Sequence, residues 1–168
     1  MTSDDTPATR VRDAITTLGE DGVVERAIGL LAGLNVGEEF LLVAGGTHAQ
    51  GLLDGAPPLY WPEVWGARVL LYAWNDTAQD AVLAGLQNRA WRVREMCCRL
   101  AAARHLPAAP YLHELLTDDT ARVRAAAARA LGEVGTAGDV ELLSKLFTDP
   151  EIDVRRAAQQ AKSAIEKR

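Results

Sequence analysis

With 168 residues, 48% of them hydrophobic and 24% charged, and a net charge of −5, the chain has the size and balance of one globular domain with a real core. No apolar run approaches the roughly 20 residues that a membrane span needs. The opening MTSDDTPATR is acidic and polar where a secretory leader is basic and apolar, so neither a membrane nor a secreted protein is expected and a cytoplasmic setting is. Fifteen arginines against three lysines, with abundant alanine, match the usage of GC-rich bacterial genomes.

In chain order, TPATRVRDAITTLGEDG predicts a helix that starts at Thr6 and Pro7 and is closed by Gly22, with Val11, Ala14, Ile15 and Leu18 on one face. VVERAIGLLAGL repeats that face with Val24, Ala27, Ile28 and Leu31, and VGEEFLLVAGG predicts a third helix ended by Gly45 and Gly46. These helices carry no clean repeat and read as a degenerate N-terminal part, residues 6–60, of a single α-helical domain. Residues Thr47 to Tyr60 hold two Gly, two Pro and no firm period, which predicts a long connection. A helix is expected near Pro62, with stripes of Trp61, Trp65, Val69 and Tyr72 and of Val64, Ala67, Leu71 and Trp74.

Three of the four tryptophans lie in this segment. Aromatic residues at helical spacing are most often core. The alternative is a binding patch of His48, Tyr60, Trp61, Trp65 and Trp91 that anchors a protein partner or stacks on a flat ligand.

From residue 61 onward the chain repeats. Val93, Val123 and Val154 recur at an almost constant interval, each followed by an arginine: Arg94, Arg124 and Arg155. One helical turn past each valine is a small side chain, Cys97, Ala127 or Ala158, and the next turn brings Leu100, Ala130 or Ala161. That is one face of a helix. A shorter apolar helix precedes each copy: Val82 and Leu86, then Leu112 and Leu116, then Leu143 and Phe147. Between them Asn88, Asp118 or Asp119, and Asp149 with Pro150 fit N-cap and first-turn positions. Gly132, Gly135 and Gly138 are expected to break the chain after one copy. Each unit is therefore a helical hairpin, and Val64, close to one further interval before Val93, extends the pattern upstream with Trp65 in the place of the arginine.

The motif Asp-x-x-x-x-Val-Arg-x-x-Ala, as residues Asp149 to Ala158 write it, resembles the short HEAT-like repeat also found in phycobilisome lyases, more compact than the longer HEAT and armadillo repeats. Tetratricopeptide and ankyrin signatures are missing. The resemblance covers Thr77 to Arg168 and implies an all-α, right-handed α-solenoid of HEAT-like hairpins, with the N-terminal helices as cap. It further implies a structural ladder in which Arg94, Arg124 and Arg155 pair with turn aspartates such as Asp119 and Asp149. Arg99 and Arg129, at equivalent positions on the second helices, would line the concave side as a candidate binding strip.

Chemistry-bearing constellations are scarce. Cys97 and Cys98 are neighbours in a helix, where side chains diverge by about 100°, and are expected to be reduced core residues. His48, His105 and His113 lack metal-ligand spacing, so neither a metal nor a cofactor is implied. No serine, Ser3 included, stands in a nucleophile elbow, and GGTH lacks the Gly-Lys-Ser/Thr of a phosphate loop.

Residues 1–87 hold 4 basic and 12 acidic side chains, residues 88–168 hold 14 and 11. The resulting expectation is a non-enzymatic scaffold that binds a protein partner. HEAT-like solenoids also include DNA glycosylases and tetrapyrrole lyases. The acid excess argues against nucleic acid, and no tetrapyrrole site is specified.

Overall fold

A computed structural model describes residues 5–168, so Ser3 and the start of the polar N-terminal stretch lie outside the described residues. The regular structure of these residues is all helical, without a strand among them, and the fold is of the all-α, repeat-solenoid class. They fall into two compact units, one ending at Gly85 and the other spanning Leu86–Arg168.

The first unit opens with α1 (Pro7–Leu31). Thr6 caps it by accepting the Thr9 N–H at 3.1 Å, and Pro7 occupies the first turn, where its missing N–H costs nothing. The break expected at Gly22 falls instead at Gly19, whose φ of 72° and ψ of 160° interrupt the helix. Only glycine takes that backbone cheaply, whereas Gly22 keeps helical angles. The first arm of α1 buries Val11 and Ala14, and the second buries Val23, Val24, Ala27, Leu30 and Leu31.

α2 (Glu38–Gly45) begins with two acids, which suit the positive end of its dipole. At its other end Arg10 Nε donates to the Val43 carbonyl at 3.0 Å and Arg68 Nη2 to the Ala44 carbonyl at 2.7 Å. The segment expected to be a plain connection contains α3 (Thr47–Leu53), two turns long and too short to show a period in the sequence. α4 (Trp61–Val69) then packs on α1. The approach is close because residue 66 is glycine: an added Cβ would lie 2.6 Å from Leu31 N and 2.7 Å from the Ala27 carbonyl oxygen. α4 stops at Val69, so the stripes expected to run on to Tyr72 and Trp74 end there, and Tyr72 is exposed. A short 3-10 turn and α5 (Gln79–Gly85) complete this unit.

The second unit holds α6 (Trp91–Ala103), α7 (Ala109–Leu115), α8 (Ala121–Val134), α9 (Val140–Lys145) and α10 (Ile152–Glu166). α8 is the middle layer, packed on α6 on one side and on α10 on the other. Val93, Cys97, Leu100, Val123, Ala127, Ala130, Val154, Ala158 and Ala161 are all buried, which is why the sequence keeps most of these positions small. Gly132, expected as a breaker, lies inside α8, where a Cβ would stand 3.0 Å from Ala161 Cα. Its smallness sets the spacing of α8 and α10.

Candidate functional site

The turns between the hairpins organise the second unit. Asn88, Asp118 and Asp149 each accept, through a side-chain oxygen, the N–H two residues on, at Ala90 (2.8 Å), Thr120 (2.8 Å) and Glu151 (2.9 Å). Ala90, Thr120 and Glu151 are the N-caps, with no side-chain cap of their own. Asn88 and the turn acids Asp118 and Asp149 thus stand two residues before the cap, where they shape the entry to the helix.

From that place the Asp118 and Asp149 side chains receive repeat arginines. Arg94 donates Nε to Asp118 Oδ2 at 2.8 Å and Nη2 to Oδ1 at 3.0 Å, and Arg124 makes the same two bonds to Asp149. The carboxylate that meets Arg94 belongs to Asp118 and not to Asp119, whose side chain is exposed and which offers only its carbonyl to Arg124. Only the residue that accepts the turn N–H is held with both oxygens toward the preceding helix. Among the described residues, Arg155 donates only to the carbonyls of its own turn.

A further link ties α7 to the following turn. Asp139 receives the Thr136 N–H at 2.7 Å on Oδ2 and His113 Nε2 at 2.6 Å on Oδ1. Burial alone would raise its carboxyl, but these bonds outweigh it and hold it below the ordinary value. Sequence reading placed His113 among scattered histidines, since Asp139 lies in the next hairpin and nothing local signals the pairing. Burial pushes the Cys97 thiol up to about 12 and raises that of Cys98 as well.

Arg99 and Arg129 are exposed and share a groove of about 520 Å³ between α6 and α8, floored by Cys98, Ala126 and Ala130. Glu95 and Glu133 stand beside them. The strip expected to be basic is therefore of mixed sign. It continues into a second hollow of about 370 Å³ where Arg129 and Glu95 meet Arg122, Glu151 and Asp153. Arg122 itself bonds Glu95 Oε1 at 3.0 Å.

Tyr60, Trp61 and Trp65 are consecutive neighbours, with ring centroids 5.3 Å and 6.4 Å apart. Trp65 is only 4% exposed and belongs to the core beside Gly45, whose Cβ position its ring fills. His48 is exposed on α3. Trp91 lies in the second unit, where the guanidiniums of Arg92 and Arg122 sit 4.5 and 5.5 Å from its ring centroid.

Among the described residues no three His, Cys, Asp or Glu side chains are grouped to hold a metal ion. No helix among them is long and apolar enough to cross a membrane. A family model described as HEAT repeats matches residues 75–162. No curated protein matches the chain.

Proposed function

Because the chain belongs to the HEAT repeat family, we propose that it works as a non-enzymatic interaction module that binds a protein partner through the groove at Arg99 and Arg129. The observation that carries this reading is the alternation of charge around that groove. Glu95, Arg99, Arg129 and Glu133 surround a floor of small buried side chains. Such an arrangement selects a partner by matching sign at several points over an apolar base, as protein interfaces do. A nucleic-acid backbone would meet Glu95 and Glu133 at the same place, and the repulsion disfavours it. Tyr60 and Trp61, half-buried in the other unit, carry less of the proposal because their neighbour Trp65 serves the core.

The test is affinity capture with the wild type and with the Arg99→Glu, Arg129→Glu double variant, each treated with nuclease. A protein retained by the wild type and weakened at least tenfold in the variant is the expected result, since each reversal turns an attraction into a repulsion. Helical circular dichroism should be unchanged, because both side chains are exposed. Equal retention by the two proteins, or retention of nucleic acid in place of protein, would overturn the proposal.

A further inference from the structure

The three repeat arginines are held alike at one end. Nη1 of Arg94 donates to the Asn88 and Arg89 carbonyls at 2.8 and 3.0 Å. Nη1 of Arg124 donates to those of Asp118 and Asp119 at 2.8 and 3.4 Å. Nη1 of Arg155 donates to those of Asp149 and Pro150 at 2.6 and 2.9 Å. Two backbone carbonyls thus anchor each guanidinium and leave its Nε and Nη2 edge pointing along the stack. For Arg94 and Arg124 that edge is filled by both oxygens of Asp118 and of Asp149. For Arg155 no side chain among the described residues bonds it.

The face of α10 around that edge has changed character. One repeat earlier, Ala125, Ala128 and Gly132 are buried, and Gly132 meets Ala161 of α10. Shifted by the interval from Val123 to Val154, the equivalent positions are Arg156, Gln159 and Ser163, the first two exposed. Seating another alanine-faced helix there would cover Gln159, where the two earlier copies have Cys98 and Ala128. Asp149, whose charge also acts on Arg155, gives both carboxylate oxygens to Arg124, while Glu151 and Asp153 line the hollow with Arg129, and Glu166 lies 3.7 Å from Lys162.

We infer that the Nε and Nη2 edge of Arg155, flanked by Arg156 and Gln159, is a docking point for an aspartate-bearing turn of a partner protein. The occupant is read from the molecule itself. Both filled edges take an aspartate whose Oδ1 also accepts a turn N–H, and the planar fork matches the two oxygens of a carboxylate. Two positive charges side by side favour such a turn over a neutral one. This surface is distinct from the groove at Arg99 and Arg129, so either proposal can fail without the other.

The test is NMR of the full chain with ¹⁵N-labelled arginine, titrated with the acetylated and amidated peptide Thr-Asp-Pro-Glu, the sequence of residues 148–151. The Nε–H signal of Arg155, assigned by its loss in Arg155→Lys, should shift saturably while those of Arg94 and Arg124 stay in place. The peptide with Asn for Asp should bind roughly tenfold more weakly, because a charge-assisted pair of bonds becomes a neutral one. Absence of a shift, or equal shifts with the two peptides, would overturn the inference. So would self-association in sedimentation equilibrium that Arg155→Lys abolishes, which would assign the edge to a second copy of the chain. The wild-type comparison of the two peptides decides the matter even if the lysine variant folds poorly.

Discussion

Arg124 and Asp149 are joined by two parallel hydrogen bonds of 2.8 and 3.0 Å between successive hairpins, with side chains only 14% and 6% exposed. The bond from Arg124 is the main cause that holds the Asp149 carboxyl below its ordinary value, and the same bond raises the guanidinium. Asp149→Asn preserves the turn bond to Glu151 but leaves the largely buried Arg124 without its hydrogen-bonded carboxylate, with only the more distant charges of Glu151 and Asp118 to offset it. We expect the second unit to lose about 2–3 kcal/mol, somewhat below a fully buried pair, as read by urea unfolding. A loss under about 0.5 kcal/mol would place this pair with ordinary surface ion pairs.

Acid should expose the same interaction. Asp139 and Asp149 both have folded values depressed below 3.8, so their contribution is fully present above that pH and is lost as pH falls through the lower folded values. Thermal unfolding followed by circular dichroism should therefore stay level from neutrality to about pH 4 and decline below it. In Asp149→Asn the acid decline should be shallower than in the wild type. Parallel declines would show that other carboxylates dominate.

Gly66 tests the packing of the first unit. A methyl at this position would stand 2.6 and 2.7 Å from backbone atoms of Leu31 and Ala27, which cannot yield as a flexible side chain does. Gly66→Ala raises helix propensity in α4, yet steric overlap should outweigh it and destabilise by roughly 2–3 kcal/mol. Gly51→Ala, where the added methyl meets nothing within 4 Å, should be neutral or slightly stabilising. A melting temperature for Gly66→Ala at or above that of the wild type would contradict the observed helix spacing.

Cys97 and Cys98 should be inert while the chain is folded, because both are buried and burial raises both thiols, Cys97 to about 12. Reaction with a chromogenic disulfide reagent at pH 8 should be negligible in native buffer and stoichiometric for two thiols in denaturant. Fast native labelling of either would mean that α6 opens readily.

The hairpin repeat, its family and the all-helical class could be read from the sequence alone, because the valine, arginine and small-residue pattern recurs at a nearly constant interval and each position answers to one local requirement. The small residues at 97, 127 and 158 could have been placed in the core without a structure, since helical periodicity leaves them no other face. The pairing of repeat arginines with turn aspartates such as Asp149 is implied by the family resemblance, but the partners of most other polar groups could not be read. Asp118 and Asp119 are equivalent as letters, and only the turn decides which of them faces Arg94. His113 and Asp139 meet across two hairpins, and although Glu95 with Arg99 and Arg129 with Glu133 are each one helical turn apart, the two pairs share a groove only because α6 and α8 stack. In the first unit a glycine pattern could have broken α1 at either of two places, and the break falls at Gly19, with Val11 and Ala14 buried before it and Val23, Val24, Ala27, Leu30 and Leu31 after it. Local spacing specifies what each helix is. Which side chains meet, and which edge is left open at Arg155, depends on contacts between residues far apart in the chain, and only the packed helices decide those.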